Sequence, residues 1–243
     1  MSGHSKWNNI KHKKEKSDAA KAKIFTKIGK EMAVAIKAGG PDPNNNNKLR
    51  DLIAKAKANN VPNDNIQRTI KKFTDNSDIN YEEIVYEGYG PSGIAVIVTT
   101  ATDNRNRTAG DVRHFFDKFG GNLGQTGCVS YMFTDTGIII IENDGSIDEE
   151  ALMEAALEAG ASDFSASEDA FEISTEPADL SSVREALEAA GYTILSAEED
   201  KIPSSYVELT SEDDIKKRNL LIQNLEDHDD VQDIYHNWEN ADE

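Results

Sequence analysis

The sequence predicts an α+β protein of three domains: an N-terminal all-helical domain followed by two α+β domains of ferredoxin-like, split βαβ type. Three observations predict it. Apolar residues recur at helical spacing up to about residue 73 and in β-rich runs after residue 80. The formal charge changes sign along the chain, from a basic start to an acidic remainder. The order of elements after residue 135 reads strand, helix, strand, strand, helix, strand, which suits a split βαβ layer. The boundaries that follow are residues 1–78 for a basic helical domain, 79–134 together with 205–243 for a discontinuous middle domain, and 135–204 for an acidic third domain.

Residues 2–23 are polar and lysine-rich with one aromatic, Trp7, and read as an arm. Over 18–37, Ile24, Ile28, Met32 and Ile36 recur every four residues with Phe25 beside them, one apolar stripe of a helix. Lys16, Lys23, Lys27, Lys30 and Lys37 fall on the opposite side and are expected to present a row of ammonium groups. Gly39-Gly40-Pro41-Asp42-Pro43 stops this helix. Leu49, Leu52, Ile53 and Ala56 mark a second helix over 46–58. Pro62 and Asp64 open a third, with Ile66, Ile70 and Phe73 inward and Arg68, Lys71 and Lys72 outward.

After a polar linker at 75–80 the period changes. Runs at 81–89 and 94–100, joined by Gly90-Pro91-Ser92-Gly93, predict a hairpin. A helix over 103–119 carries Val112, Phe115, Phe116 and Phe119 on its apolar face, and a strand is expected at 129–133. The next unit predicts strands at 138–142, 163–166, 170–175 and 193–197 with helices at 148–159 and 180–190. Strands at 205–209 and 231–236 flank a helix at 211–227 and have no sheet of their own. They are expected to return to the middle unit.

The chain of 243 residues has a net charge of -19, but the average hides the distribution. Residues 1–73 hold 17 basic and 6 acidic side chains, +11; the remainder holds 9 and 39, -30. Such asymmetry signals a basic binding module on an acidic body, against the plainer alternative of lysines that only solubilise helices. Cys128 is the single cysteine, so no internal disulfide and no cysteine metal cluster is expected. The opening residues hold no apolar run and no later stretch approaches a membrane span, so a cytoplasmic protein is expected.

Motifs for catalysis are weak, and no catalytic residue, metal, cofactor or small-molecule substrate is expected. Gly88-Tyr89-Gly90-Pro91-Ser92-Gly93 matches G-x-G-x-x-G, but a strand follows where dinucleotide binding needs a helix. The glycine-rich 120–127 run lacks the Gly-Lys-Ser/Thr ending of a P-loop and reads as a helix end plus a flexible crossing. The five histidines show no metal-ligand spacing.

The basic region is the stronger signal. Lys6, Lys11, His12, Lys13, Lys14, Lys16, Lys21, Lys23, Lys27 and Lys30 form a line suited to phosphates, with Lys55, Arg68, Lys71 and Lys72 on the following helices. Trp7 either stacks on an unpaired base or anchors the arm to the helical core. Arg105 and Arg107, beside a helix N-terminus, suit phosphate or pair with nearby acids such as Asp111. Lysine is a point charge without arginine's fork, so the composition points to backbone tracking more than base reading. Charge reversal at Lys13, Lys14, Lys23 and Lys27 is expected to abolish binding and leave the fold intact.

A run of motifs in order resembles one known family. Gly3-His4-Ser5-Lys6-Trp7, Ile24-Phe25-Thr26-Lys27, Gly39-Gly40-Pro41-Asp42-Pro43, Tyr86-Glu87-Gly88-Tyr89-Gly90-Pro91, Thr102-Asp103-Asn104-Arg105-Asn106-Arg107-Thr108 and Gly120-Gly121-Asn122-Leu123-Gly124 resemble the YebC/PmpR family over nearly the whole chain. Lys21, Asn63 and Phe73 stand where arginine, lysine and glycine are common. The resemblance implies a helical domain and two α+β domains, the middle one discontinuous. For function it implies a DNA-binding transcriptional regulator, the usual label of bacterial relatives. The alternative it implies is a ribosome-associated translation factor that binds ribosomal RNA and relieves stalling at proline-rich stretches; other relatives include a mitochondrial translational activator. Either way the expected partner is nucleic acid, with no membrane and a monomeric chain.

Overall fold

The structure, a computed structural model, describes residues 18–75 and 80–239, with side chains from residue 22. It has the three-domain α+β fold: a helical domain, then two domains built on antiparallel four-stranded sheets.

The helical domain consists of α1 (Asp18–Gly39), α2 (Asn47–Ala58) and α3 (Asn63–Asp75). Its core is the apolar stripe of α1, Ile28, Met32 and Ile36, closed by Leu49, Leu52 and Ala56 of α2 and Ile66 of α3. One buried side chain sets the turn between α1 and α2. The Asn46 amide donates to the carbonyls of Ala35 and Gly40, 2.8 Å each, and its oxygen accepts from Leu49 N–H at 3.1 Å. It thus satisfies orphan groups at the end of one helix and the start of the next. A Cβ at Gly39 would lie 2.8 Å from that amide, so the close approach requires glycine.

The middle domain contains β1 (Glu82–Tyr89), β2 (Ala95–Thr102), α4 (Arg105–Lys118) and β3 (Asn122–Leu123). From the far end of the chain it takes α7 (Glu212–Asp227) and β8 (Val231–His236). The sheet order is β3-β1-β2-β8, so β2 and β3 run parallel with β1 between them and α4 as the crossover. That is a split βαβ. Val112 and Phe116 of α4 and Leu221 and Leu225 of α7 pack on Val96 and Val98 of β2. On the N-terminal side, α1 lies against β1, β2 and β8.

The third domain runs β4 (Phe133–Glu142), α5 (Glu149–Ala159), β5 (Asp163–Ala166), β6 (Ala170–Thr175), α6 (Leu180–Ala189) and β7 (Ser196–Pro203). Its antiparallel order β5-β6-β4-β7 is that of a ferredoxin-like layer. The isoleucine run of β4 is buried on both faces. Ile139 and Ile141 meet α5 and α6, while Ile138 and Ile140 pack with Ala170, Leu195 and Ile202.

Three strands differ from expectation. At 129–133 the chain forms a short 3₁₀ turn, Ser130–Met132, because the N–H groups of Val129 and Ser130 donate to the Glu87 carboxylate rather than to a strand. The strand expected at 193–197 starts only at Ser196, as β7, and runs through the charged stretch to Pro203. Lys48 and Lys55 of α2 pair there with Glu199 and Glu198, and Asp135 pairs with Lys201. No alternation of apolar residues announces a strand whose side chains are held by ion pairs. The strand expected at 205–209 reduces to one bridge, Val207 to Trp238, because β8 already occupies the edge of β2.

Asn46→Ala is expected to cost the helical domain about 2 kcal/mol. Chemical denaturation followed by circular dichroism measures it. Asn46→Asp, which keeps the acceptor but sets a buried carboxylate oxygen against the Ala35 and Gly40 carbonyls, should cost at least as much as alanine.

Candidate nucleic-acid interface

The lysine row of α1 has the spacing i, i+4, i+7 at Lys23, Lys27 and Lys30, so its ammonium groups share one face. That face meets the C-terminal end of α7. Lys23 Nζ donates to the Asp227 carbonyl at 2.7 Å and to its carboxylate at 3.2 Å. Lys27 Nζ donates to the Glu226 carbonyl at 2.9 Å. Lys30 Nζ donates to the Asp229 carbonyl at 2.9 Å and to Asp230 Oδ1 at 2.7 Å. The last carbonyls of a helix lack intrahelical partners and carry the negative end of its dipole. No basic residue occupies the last turn of α7 itself, and α1 supplies three. Burial, with Lys23 nearby, lowers the Lys27 ammonium to about 8.

Asp230 is where this contact joins the middle-domain sheet. Its side chain is 3% exposed. Oδ1 takes Lys30; Oδ2 accepts from Arg107 at 2.8 Å, Thr108 at 2.8 Å and Thr102 at 3.2 Å. Its backbone bonds to Ala101 and to His228 Nδ1, and His228 reaches Asp111 at 3.1 Å. Burial alone would push this carboxyl up. The hydrogen bonds from Arg107, Lys30 and Thr108 outweigh it and hold the group well below the usual carboxylate range.

The second helix faces the acidic third domain. Lys55 lies between Glu31, 3.6 Å, and Glu198, 3.8 Å. Burial raises Glu31 to about 7 even with Lys55 beside it. Around this centre, Lys48 pairs with Glu199 at 3.4 Å and Arg50 with Glu185 at 3.3 Å, and Asp51 takes Arg184 at 3.1 Å and the Ser181 hydroxyl. Much of the charge step along the sequence is therefore complementarity between domains.

The candidate residues divide accordingly. Lys6, Trp7, Lys11, His12, Lys13, Lys14 and Lys16 lie outside the described residues, as does the side chain of Lys21. Lys23, Lys27, Lys30 and Lys55 bind within the protein, so the row expected to face outward faces the middle and third domains. Arg107 is half exposed but spans Asp103, 3.0 Å, and Asp230. Arg68, Lys71 and Lys72 are exposed together on the outer face of α3, and Arg105 is exposed at the start of α4, where Asn104 is the cap. Gln67 is exposed beside them. Sequence reasoning named the α3 basic triad but could not separate it from the docked lysines, since both read as charged faces of amphipathic helices.

Both glycine motifs serve internal geometry. Gly90–Gly93 turns β1 into β2 through a 3₁₀ turn with Ser92 at φ 55°. In the second motif the N–H groups of Gly127, Val129 and Ser130 converge on the buried Glu87 carboxylate at 2.8–2.9 Å, and Gly124 N–H donates to the Glu87 carbonyl. The amides that a phosphate would use are directed at this chain's own carboxylate. These bonds outweigh burial and hold Glu87 below the usual range. The loop read as a flexible crossing is thereby tied down. Among the described residues no group of three or more His, Cys, Asp or Glu side chains has metal-binding geometry, and no helix is long and apolar enough to cross a membrane.

Residues 5–76 match the family model described as the TACO1/YebC protein N-terminal domain, and residues 81–238 that of the TACO1/YebC second and third domain. A protein of Acetivibrio thermocellus named "Probable transcriptional regulatory protein" is 59% identical, covering 98% of this chain and 99% of its own. One of Ruminiclostridium cellulolyticum with the same name is 58% identical over 100% of this chain and 98% of its own. A crystal structure of a conserved hypothetical protein from Aquifex aeolicus is 44% identical and covers 92% of each chain with a TM-score of 0.82.

The depressed Asp230 carboxyl gives the interdomain contact an acid dependence. A folded-state value below the unfolded one, about 3.9, contributes stability at neutral pH that is lost as pH falls through the folded value. Loosening of α1 below about pH 4 is expected in hydrogen exchange, and Asp230→Asn should remove that acid-dependent step. Lys27→Glu sets a carboxylate against the carbonyls of α7, so it is expected to release α1 from the middle domain. Lys71→Glu should leave that contact intact; limited proteolysis separates the two.

Proposed function

Because the chain belongs to the TACO1/YebC family, we propose that it is a non-enzymatic regulator of gene expression that binds nucleic acid through its helical domain. The observation that carries this reading is the outer face of α3. Arg68, Lys71 and Lys72 stand at i, i+3, i+4, exposed on one side of a helix whose other side is the domain core. Three cations on a rigid helix suit a run of phosphates, and neighbouring Gln67 is a side-chain type that hydrogen-bonds base edges. The sequence that precedes α1 is also lysine-rich. The names of the relatives support transcription, with duplex DNA as the partner.

A second reading is favoured by one feature. From Lys6 to Lys30 every one of the basic side chains, histidine aside, is lysine, which neutralises phosphates without the bidentate fork of base recognition. That suits a structured RNA, and in this reading the protein acts on translation at the ribosome. In both readings the protein works as a cytoplasmic monomer without a cofactor.

Replacing Arg68, Lys71 and Lys72 with glutamate is expected to weaken binding at fixed salt. It should also flatten the plot of log K against log salt by about 2–3, since each duplex phosphate contact contributes about 0.9. Fluorescence anisotropy on a promoter duplex and a scrambled duplex measures both. Sedimentation of lysate with and without nuclease divides the readings. Ribosome co-migration that the triple variant loses favours translation, and specific duplex binding without co-migration favours transcription.

A further inference from the structure

We propose that the C-terminal end of α7 is an internal stand-in for phosphate, and that full engagement of nucleic acid requires α1 to exchange this end for the ligand. The inference rests on the nucleic-acid reading above and concerns its regulation.

Lys23 to Lys30 span about 10 Å along α1, on the order of three nucleotide steps of one strand. What they meet in the folded chain is a run of oxygens: the carbonyls of Glu226, Asp227 and Asp229, and carboxylates of Asp227 and Asp230. These are the acceptors that phosphodiester oxygens would replace. The contact joins segments about 200 residues apart in sequence, through long, rotatable side chains rather than an interdigitated apolar core. It is electrostatic and weakened by salt, as phosphate binding is.

Two states of α1 follow. In the docked state Lys23, Lys27 and Lys30 are occupied, while Arg68, Lys71 and Lys72 of the α3 face stay exposed. In the undocked state the α1 row adds its three cations to those of Arg68, Lys71 and Lys72 on the same domain. A polyanion that binds the undocked state more tightly shifts the population toward it, and the docked fraction lowers its apparent affinity. Charge on the α1 row then tunes selectivity. Isolated anions do not displace three contacts at once, whereas a continuous phosphodiester strand does.

The test is hydrogen exchange on the full chain, with and without a saturating 20-base-pair duplex, as DNA and separately as RNA. The expected result is faster exchange, by about tenfold or more, at amides 226–231 on addition of at least one duplex. Asp230→Asn should bind that duplex about threefold or more tightly, while Glu154→Gln on α5, an equal change of net charge at a distant exposed site, should not. Saturable binding with exchange at 226–231 unchanged or slowed overturns this inference and leaves the proposed function standing. Absence of binding to both duplexes overturns the two together. If Asp230→Asn does not fold, the exchange of the unaltered chain decides.

Discussion

The seating of the helical domain on the middle domain depends on one contact, the lysine row of α1 against the carbonyl end of α7, gathered on the Asp230 carboxylate. A helix end leaves its last carbonyls without partners, and a buried aspartate needs compensating donors. Each supplies what the other lacks only because α1 brings three ammonium groups at helical spacing. Asp230 also accepts from Arg107, Thr108 and Thr102, so the position of the helical domain is tied to the N-terminus of α4 and the end of β2.

Around this contact the charge of the protein takes on a second role. A basic head and an acidic body, viewed as composition, suggest a head that reaches outward. In the folded chain α2 turns Lys48, Arg50 and Lys55 toward Glu199, Glu185 and Glu198, so acidic residues of the third domain neutralise part of the head. Exposed pairs of this kind contribute little individually. Lys55, mostly buried between two glutamates, is the exception, because its charge loses hydration there and needs both carboxylates to offset the loss. The same pairs hold β7 in place along a stretch with no apolar alternation.

Glu87 illustrates how a motif that looks chemical becomes structural. A glycine-rich run offers clustered N–H groups, the usual equipment of an anion site. Here Glu87 supplies the anion from within, tying the 124–130 segment to β1.

Local pattern alone determined the helical stripe of Ile28, Met32 and Ile36, the hairpin at Gly90–Gly93 and the element order of the third domain. The physical reason is that periodicity and turn chemistry act over a few residues. The absence of a sheet partner for 231–236 within its own segment was also legible, because a strand must pair. The family was legible from motifs in order. What only the tertiary structure decided is which cations are free. Lys27 and Lys71 are alike in sequence, each a lysine on the polar side of an amphipathic helix. One faces carbonyls and the other water, since the docking of α1 on α7 joins residues about 200 positions apart and no local pattern encodes that distance.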